Sequence, residues 1–244
     1  MDTDSEKATI QAVIWDYDGT LVDTRRKNWQ VTRAMIPAVT GRPVESFPDL
    51  ASLEAYQAAD RKAENWRELL GPIFGLNEHE VDEAGRLWTS YQLRDRTPAP
   101  FFPGTSEAIA RLGDTRQAIF SQNSKAAIEQ SLTAAGLADY FELVVGYEEV
   151  SFQKQKPAPD GLLFCLGQLK LDQGTVLFVG DHDTDIECAR RANVVLERDG
   201  IDLRVASIGA EFGGESPAAW KIAPDHVARR PAGVVELAKT NRQL

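Results

Sequence analysis

Apolar and polar positions alternate along this chain in two different rhythms. A first apolar run, Ala8–Trp15 ("ATIQAVIW"), is rich in Val, Ile and an aromatic residue and predicts a buried strand. From Thr24 to Pro98 the pattern is helical. Leu50, Leu53, Tyr56, Ala63, Trp66 and Leu70 recur on one face of a predicted helix that Gly71-Pro72 ends. A second helix starts at Asn77, with Glu80 three residues on in a capping-box pattern, and carries Val81, Ala84, Trp88 and Tyr91 on its apolar side.

After "TPAPFFPGT" short apolar runs alternate with helical ones. Helices at Thr105–Gly113, Lys125–Gly136 and Asp160–Lys170 lead into strands "QAIFS", "ELVVG" and "TVLFVGD". A helix at Thr184–Ala192 leads to the apolar runs "VVLE" and "RVASIG". Strand–helix alternation of this kind builds a parallel sheet covered on both faces. The expected fold class is therefore α/β: a doubly wound, Rossmann-like parallel sheet interrupted after its first strand by an all-helical insert. Residues 1–23 and 99–244 are assigned to the core and 24–98 to the insert.

Composition narrows the function classes. The 244 residues include 43% hydrophobic ones, enough for a sizeable core, and carry a formal net charge of −10. The insert holds eleven basic and eleven acidic residues, so the whole negative charge lies outside it. Such a balance argues against a nucleic-acid or anionic-membrane surface. No apolar run reaches the roughly 18–20 residues of a membrane span, and "MDTDSEKATI" lacks the features of a secretory signal. Cys165 and Cys188 both fall in helical patterns and read as buried thiols. A cytoplasmic protein is the expectation; the sequence does not separate monomer from homodimer.

The chemistry collects at the strand ends, where open α/β sheets place their sites. The first strand runs into Asp16-Tyr17-Asp18-Gly19-Thr20, and the next into Ser121-Gln122-Asn123-Ser124-Lys125. "ELVVGYEEV" is followed by Lys154 and Lys156, and "TVLFVG" by Asp181-His182-Asp183-Thr184-Asp185. Three carboxylates sharing a pocket repel: two unit charges about 4 Å apart cost about 4 kcal/mol at an effective dielectric near 20. A hard divalent cation removes that conflict. Calcium loops of the EF-hand type are excluded, because they need Gly and Glu where the chain has Ile186 and Ala192, or Leu21 and Lys27. No P-loop or dinucleotide-binding glycine motif is present.

These four strand ends resemble the motifs of the haloacid dehalogenase superfamily, in its phosphoglycolate-phosphatase-like branch. "DYDGT" resembles its Asp-x-Asp-Gly-Thr motif, Ser121 its Ser/Thr, Lys156 in "KPAPD" its lysine, and "VGDHDTD" its acidic ending. "FFPGTSEAIARL" and "PDHVARRPAGVVEL" extend the likeness over most of the chain. The resemblance implies a Mg²⁺-dependent phosphatase acting on a small phosphomonoester through an aspartyl-phosphate.

In that reading Asp16 is the nucleophile and Asp18 the general acid/base, which also meets the metal through its backbone carbonyl. Ser121 and Lys156 hold the phosphoryl group, and Asp16, Asp18, Asp181 and Asp185 form the metal site, with Asp185 supporting the metal or Lys156. Gly19, Thr20, Gln122 and Asn123 border the substrate. The helical insert is then a cap that closes over the site and selects the substrate, and Arg25, Arg26 or Lys27 would meet a second anionic group. His182 is expected to play a supporting role and Asp183 to be solvated; Trp29, Trp66 and Trp88 read as cap core.

Two positions depart from the family pattern. Gln122 stands where many relatives have Asn, which leaves open whether Gln122, Asn123 or their backbone amides meet phosphate. Asn193 stands where many have Gly and is read as having no part in the chemistry. Two alternatives remain. A phosphomutase of the β-phosphoglucomutase type expects a histidine early in the cap, and "DTRRKNW" has none. A non-hydrolytic phospho-acceptor or scaffold would resemble receiver domains, whose phosphorylated Asp follows a later strand. The dehalogenase branch generally lacks the second Asp, present here as Asp18.

Overall fold

A computed structural model describes residues 10–63, 65–214 and 216–240. The acidic N-terminal stretch and the first two residues of the predicted first strand lie outside them. The elements, in chain order, begin with β1 (Ile10–Trp15), α1 (Arg25–Thr40), α2 (Leu53–Asp60), α3 (Trp66–Glu68) and α4 (Glu78–Arg94). They continue with α5 (Thr105–Arg111), β2 (Arg116–Phe120), α6 (Lys125–Ala134), β3 (Leu143–Val145) and α7 (Asp160–Gln168). Last come β4 (Gln173–Gly180), α8 (Asp183–Arg198), β5 (Asp202–Ala210), β6 (His226–Ala228) and α9 (Pro231–Thr240).

The six strands form one parallel sheet in the order β3-β2-β1-β4-β5-β6. The direction of winding reverses between β1 and β4, and at such a switch point the strand ends leave a crevice. β1 lies in the middle and its residues alternate between two buried faces. Ala12 and Ile14 join Phe120, Phe178, Leu162, Leu166, Ala189 and Leu196 in the core beneath α7 and α8. Trp15 points to the opposite face. Its indole donates to Gln117 Oε1 (3.2 Å), and the Gln117 amide donates to the Ile109 carbonyl (3.0 Å). That relay satisfies the polar atoms of a buried glutamine and ties β1, β2 and α5 together.

The described residues fall into two compact units, one from residues 10–22 and 101–240 and the other from residues 23–100. The second is all-helical around Met35, Ile36, Leu50, Tyr56, Leu70, Phe74 and Val81, with Trp29, Trp66 and Trp88 packed against them. The capping box at Asn77 forms: Asn77 N–H donates to Glu80 Oε2 (2.9 Å) and Glu80 N–H to Asn77 Oδ1 (3.0 Å). Among the described residues no helix is long and apolar enough to cross a membrane.

Three elements differ from the sequence reading. The helix expected across Leu50–Leu70 is broken. Asn65 caps a new start by accepting from Arg67 and Glu68 N–H groups, and a π-helical turn at Leu69–Ile73 follows α3. "VVLE" is not a strand but the last full turn of α8, which buries Leu196 and leaves Val194 65% exposed. The sixth strand, three residues at the sheet edge, is too short to show an alternation.

The outer edge of β5 explains Asn193. β6 pairs only with Ile208–Ala210, so it leaves the earlier part of that edge uncovered. The Asn193 side chain supplies the missing partners: its amide donates to the Val205 carbonyl and its oxygen accepts the Val205 N–H, both at 2.8 Å. Two residues on, Asp225 accepts from the Ser207 N–H at 2.8 Å. Replacing Asn193 by Ala leaves both Val205 groups without that partner, and urea unfolding should show a loss of about 1–3 kcal/mol. An unchanged unfolding midpoint would show that solvent replaces the amide at no cost.

Candidate active site

The site is built at the C-terminal ends of β1, β2 and β4 and from the segment after β3. Asp16 follows β1 directly, and its N–H still bonds the Val179 carbonyl of β4 (2.8 Å), so the sheet fixes its backbone. Tyr17 turns inward and is buried. The chain then folds back through Gly19, whose N–H donates to the Val22 carbonyl (2.9 Å) with φ +75°. A side chain there would be strained by that φ, and its Cβ would fall 2.0 Å from an Asp181 oxygen. Glycine thus lets the two loops meet. Thr20 uses the proximity: its hydroxyl donates to Asp181 Oδ1 at 3.1 Å.

Lys156 is 4% exposed, and its ammonium lies 2.6 Å from Asp16 Oδ1 and 2.8 Å from Asp185 Oδ1. Burial pushes the ammonium down, but the two carboxylates outweigh it and hold it above the usual lysine range. Asp185 is held in turn: its other oxygen accepts the His182 N–H (3.2 Å) in a capping box at the start of α8. His182 is the cap of that helix, with Nδ1 facing the Thr184 N–H at 3.3 Å. Asp183 lies beside the same ring, 3.1 Å from Nδ1.

Asp18 is gripped from β2. The Asn123 amide donates to its Oδ1 (3.0 Å), and the Ser121 hydroxyl lies 3.5 Å from Oδ2 while accepting the Asn123 N–H (3.1 Å). Gln122 points elsewhere and donates to the Lys156 carbonyl (3.1 Å), so it steadies the segment that carries the lysine. Asn123 and Gln122 thus serve Asp18 and Lys156, and Thr20 serves Asp181. Arg25 belongs to the helical unit, where it forms a two-pronged pair with Asp23 at 2.7 and 2.5 Å. Lys27 there donates to the Asp95 carbonyl (3.0 Å).

Ligand oxygens of Asp16, Asp181 and Asp185 lie within 4.8 Å of one another. Burial pushes the Asp16 carboxyl up, against the pull of Lys156, and Asp185 and Asp18 add to the rise, to about 7. Burial, Asp16 and Asp185 likewise raise Asp181 well above the ordinary carboxylate range. One ammonium does not neutralise this cluster, and oxygen donors at this spacing suit a hard divalent cation.

Gly213, beyond β5, also borders the site. A Cβ on it would fall 1.9 Å from the Gly19 carbonyl oxygen, so its backbone packs directly on the turn of the site. The paired glycines at 213 and 214 after a strand are the signal that marks it.

A parallel sheet with a helical insert, carrying carboxylates and a lysine at its strand ends, is the layout of one hydrolase class. A model of the haloacid dehalogenase-like hydrolase family matches residues 13–196, and the chain belongs to that family. Its curated relatives include "Probable phosphatase IndB" of Dickeya dadantii, 30% identical over 75% of this chain and 77% of that protein. A phosphoglycolate phosphatase of Yersinia pseudotuberculosis is also 30% identical, over 75% and 78%. The pyrophosphatase PpaX of Listeria monocytogenes is 26% identical, over 76% and 81%. Among solved structures, a HAD-superfamily hydrolase of subfamily IA from Geobacter sulfurreducens shares the fold, with TM-score 0.61, 21% identity and coverage of 96% and 99%. CbbY from Rhodobacter sphaeroides does so with TM-score 0.68, 17% identity and coverage of 93% and 96%.

The cluster predicts a pH-dependent response to cations. In the cation-free protein a carboxyl raised to about 7 binds its proton more tightly folded than unfolded. Its contribution therefore falls as pH rises from the ordinary carboxylate range toward 7, and protons compete with a cation throughout that window. Adding a hard divalent cation should raise Tm more at pH 8 than at pH 5.5. An equal rise at both pH values would contradict cation binding at these carboxylates.

Proposed function

We propose that this phosphatase is Mg²⁺-dependent and hydrolyses a small phosphomonoester through an aspartyl-phosphate on Asp16. The observation that carries the reading is the pairing of Asp16 with Lys156 at 2.6 Å, inside a carboxylate cluster, with Asp18 held separately by Asn123. Asp16, Asp181 and Asp185, with the backbone carbonyl of Asp18, would hold the ion. Bound Mg²⁺ supplies charge neutralisation for the carboxylates and the phosphoryl oxygens.

The chain's own residues then divide the work. Asp16 attacks phosphorus; its P–O bond forms as the bond to the leaving oxygen breaks. Asp18, as the carboxylic acid, protonates the leaving oxygen. As the carboxylate it next takes a proton from the water that attacks phosphorus, which frees phosphate and restores Asp16. Lys156 stabilises the charge that spreads over the phosphoryl oxygens, and the Ser121 hydroxyl donates to one of them. Phosphoglycolate and pyrophosphate, named for the relatives, head the candidate substrates; binding of phosphate by CbbY, a protein of the same fold, is consistent with the class.

A panel of phosphate esters and pyrophosphate, ranked by kcat/KM with and without Mg²⁺, tests the reading. Phosphate should appear only with the cation. Asp16→Asn should lower kcat by about three orders of magnitude or more, and Asp18→Asn by about 10²–10⁴-fold. Turnover retained in Asp16→Asn would remove the nucleophile assignment. Phosphate moved within one sugar without net release would place the chain among the mutases instead.

A further inference from the structure

We infer that Phe120 and Phe178 form an aromatic seat that sets the position of the Lys156 ammonium between Asp16 and Asp185. Phe120 is the last residue of β2 and Phe178 lies in β4, the two strands flanking β1. Both rings are buried, stacked with centroids 6.1 Å apart and planes 27° from parallel. Lys156 Nζ lies 4.8 Å from the Phe120 centroid and 5.2 Å from that of Phe178.

A lysine ammonium has three N–H donors on a flexible stem, and two carboxylates alone leave it free to swing between them. Aromatic faces attract a desolvated cation and so fix its third contact. The surrounding core supports a specific role for these rings. Of its buried described residues, Phe120 and Phe178 are the two aromatics; the others are aliphatic or cysteine. Space for the seat is also built in. Gly161, at the start of the helix that follows Lys156, sits where a Cβ would fall 2.4 Å from the Phe120 ring. The segment that brings the lysine therefore leaves room for the ring beneath it.

Phe120 and Phe178 are thus positioning residues, acting on the reaction through Lys156. Their effect on turnover rests on the phosphatase reading, while the seat itself does not. Phe120→Leu and Phe178→Leu keep an apolar side chain, though a smaller one, and remove the π face; Gly161→Ala displaces the Phe120 ring. In the full-length protein, NMR should show the Lys156 ε-methylene protons shifted upfield by the rings, and both Leu variants should move them toward the free-lysine position. With p-nitrophenyl phosphate and Mg²⁺, all three variants should lose about tenfold in kcat with KM changed less than about twofold. Leu196→Ala, at the remote end of α8, provides a core lesion that lowers Tm without this loss.

Lys156 resonances unmoved by the Leu substitutions overturn the seat, as does kcat retained within about twofold. If the wild type hydrolyses no ester, the phosphatase reading fails, and the resonances still decide the seat.

Discussion

One buried ammonium organises this molecule. Lys156 meets Asp16 at 2.6 Å and Asp185 at 2.8 Å, and each partner is anchored to a different part of the sheet. Asp16 hangs from β1 and Asp185 opens α8 after β4, so the ion pairs span the switch point of the winding. Removing one member would leave a buried charge uncompensated, which is far costlier than the pair is stabilising. The sheet order, the return of the chain after β3 and the cap of α8 all converge on holding three groups in contact.

That convergence leaves an excess of negative charge by design. Three carboxylates and one ammonium share the pocket, and burial, with the neighbouring carboxylates adding to it, raises the Asp16 and Asp181 carboxyls. A divalent cation would relieve the repulsion, and in the proposed mechanism a phosphoryl group brought to the same place would gain from both positive centres. Asp18 stands apart, held by Asn123 and near Ser121. In the proposed mechanism, separate environments for two carboxylates two residues apart would let one act as nucleophile and the other as proton carrier.

Much of this was legible in the sequence. Strand ends that deliver Asp16 and Asp181 are visible as apolar runs ending in polar residues, Lys156 is visible in the "KPAPD" stretch after the third apolar run, and the helical insert is visible as a change of period. The hydrogen-bond partners were not legible. Thr20, Gln122 and Asn123 read as substrate-facing because of their place beside the motifs, yet their side chains serve Asp181, the Lys156 carbonyl and Asp18. Such second roles depend on loops distant in sequence. "VVLE" misled for a local reason: an apolar β-branched run fits a strand, but the face of α8 that buries Leu196 decided the outcome. Asn193 acts on backbone groups of another element, which no local pattern encodes, whereas the Gly213-Gly214 pair is a local mark of the close approach to Gly19.

The central claim is covalent chemistry at Asp16. Asp18→Asn protein mixed with a turned-over phosphate ester and Mg²⁺, quenched in acid and digested, should yield the peptide containing Asp16 heavier by one phosphoryl group, about 80 Da. The account predicts that mass on Asp16 and its absence in Asp16→Asn. A phosphoryl group found on another residue would contradict it, as would multiple turnovers with label on none.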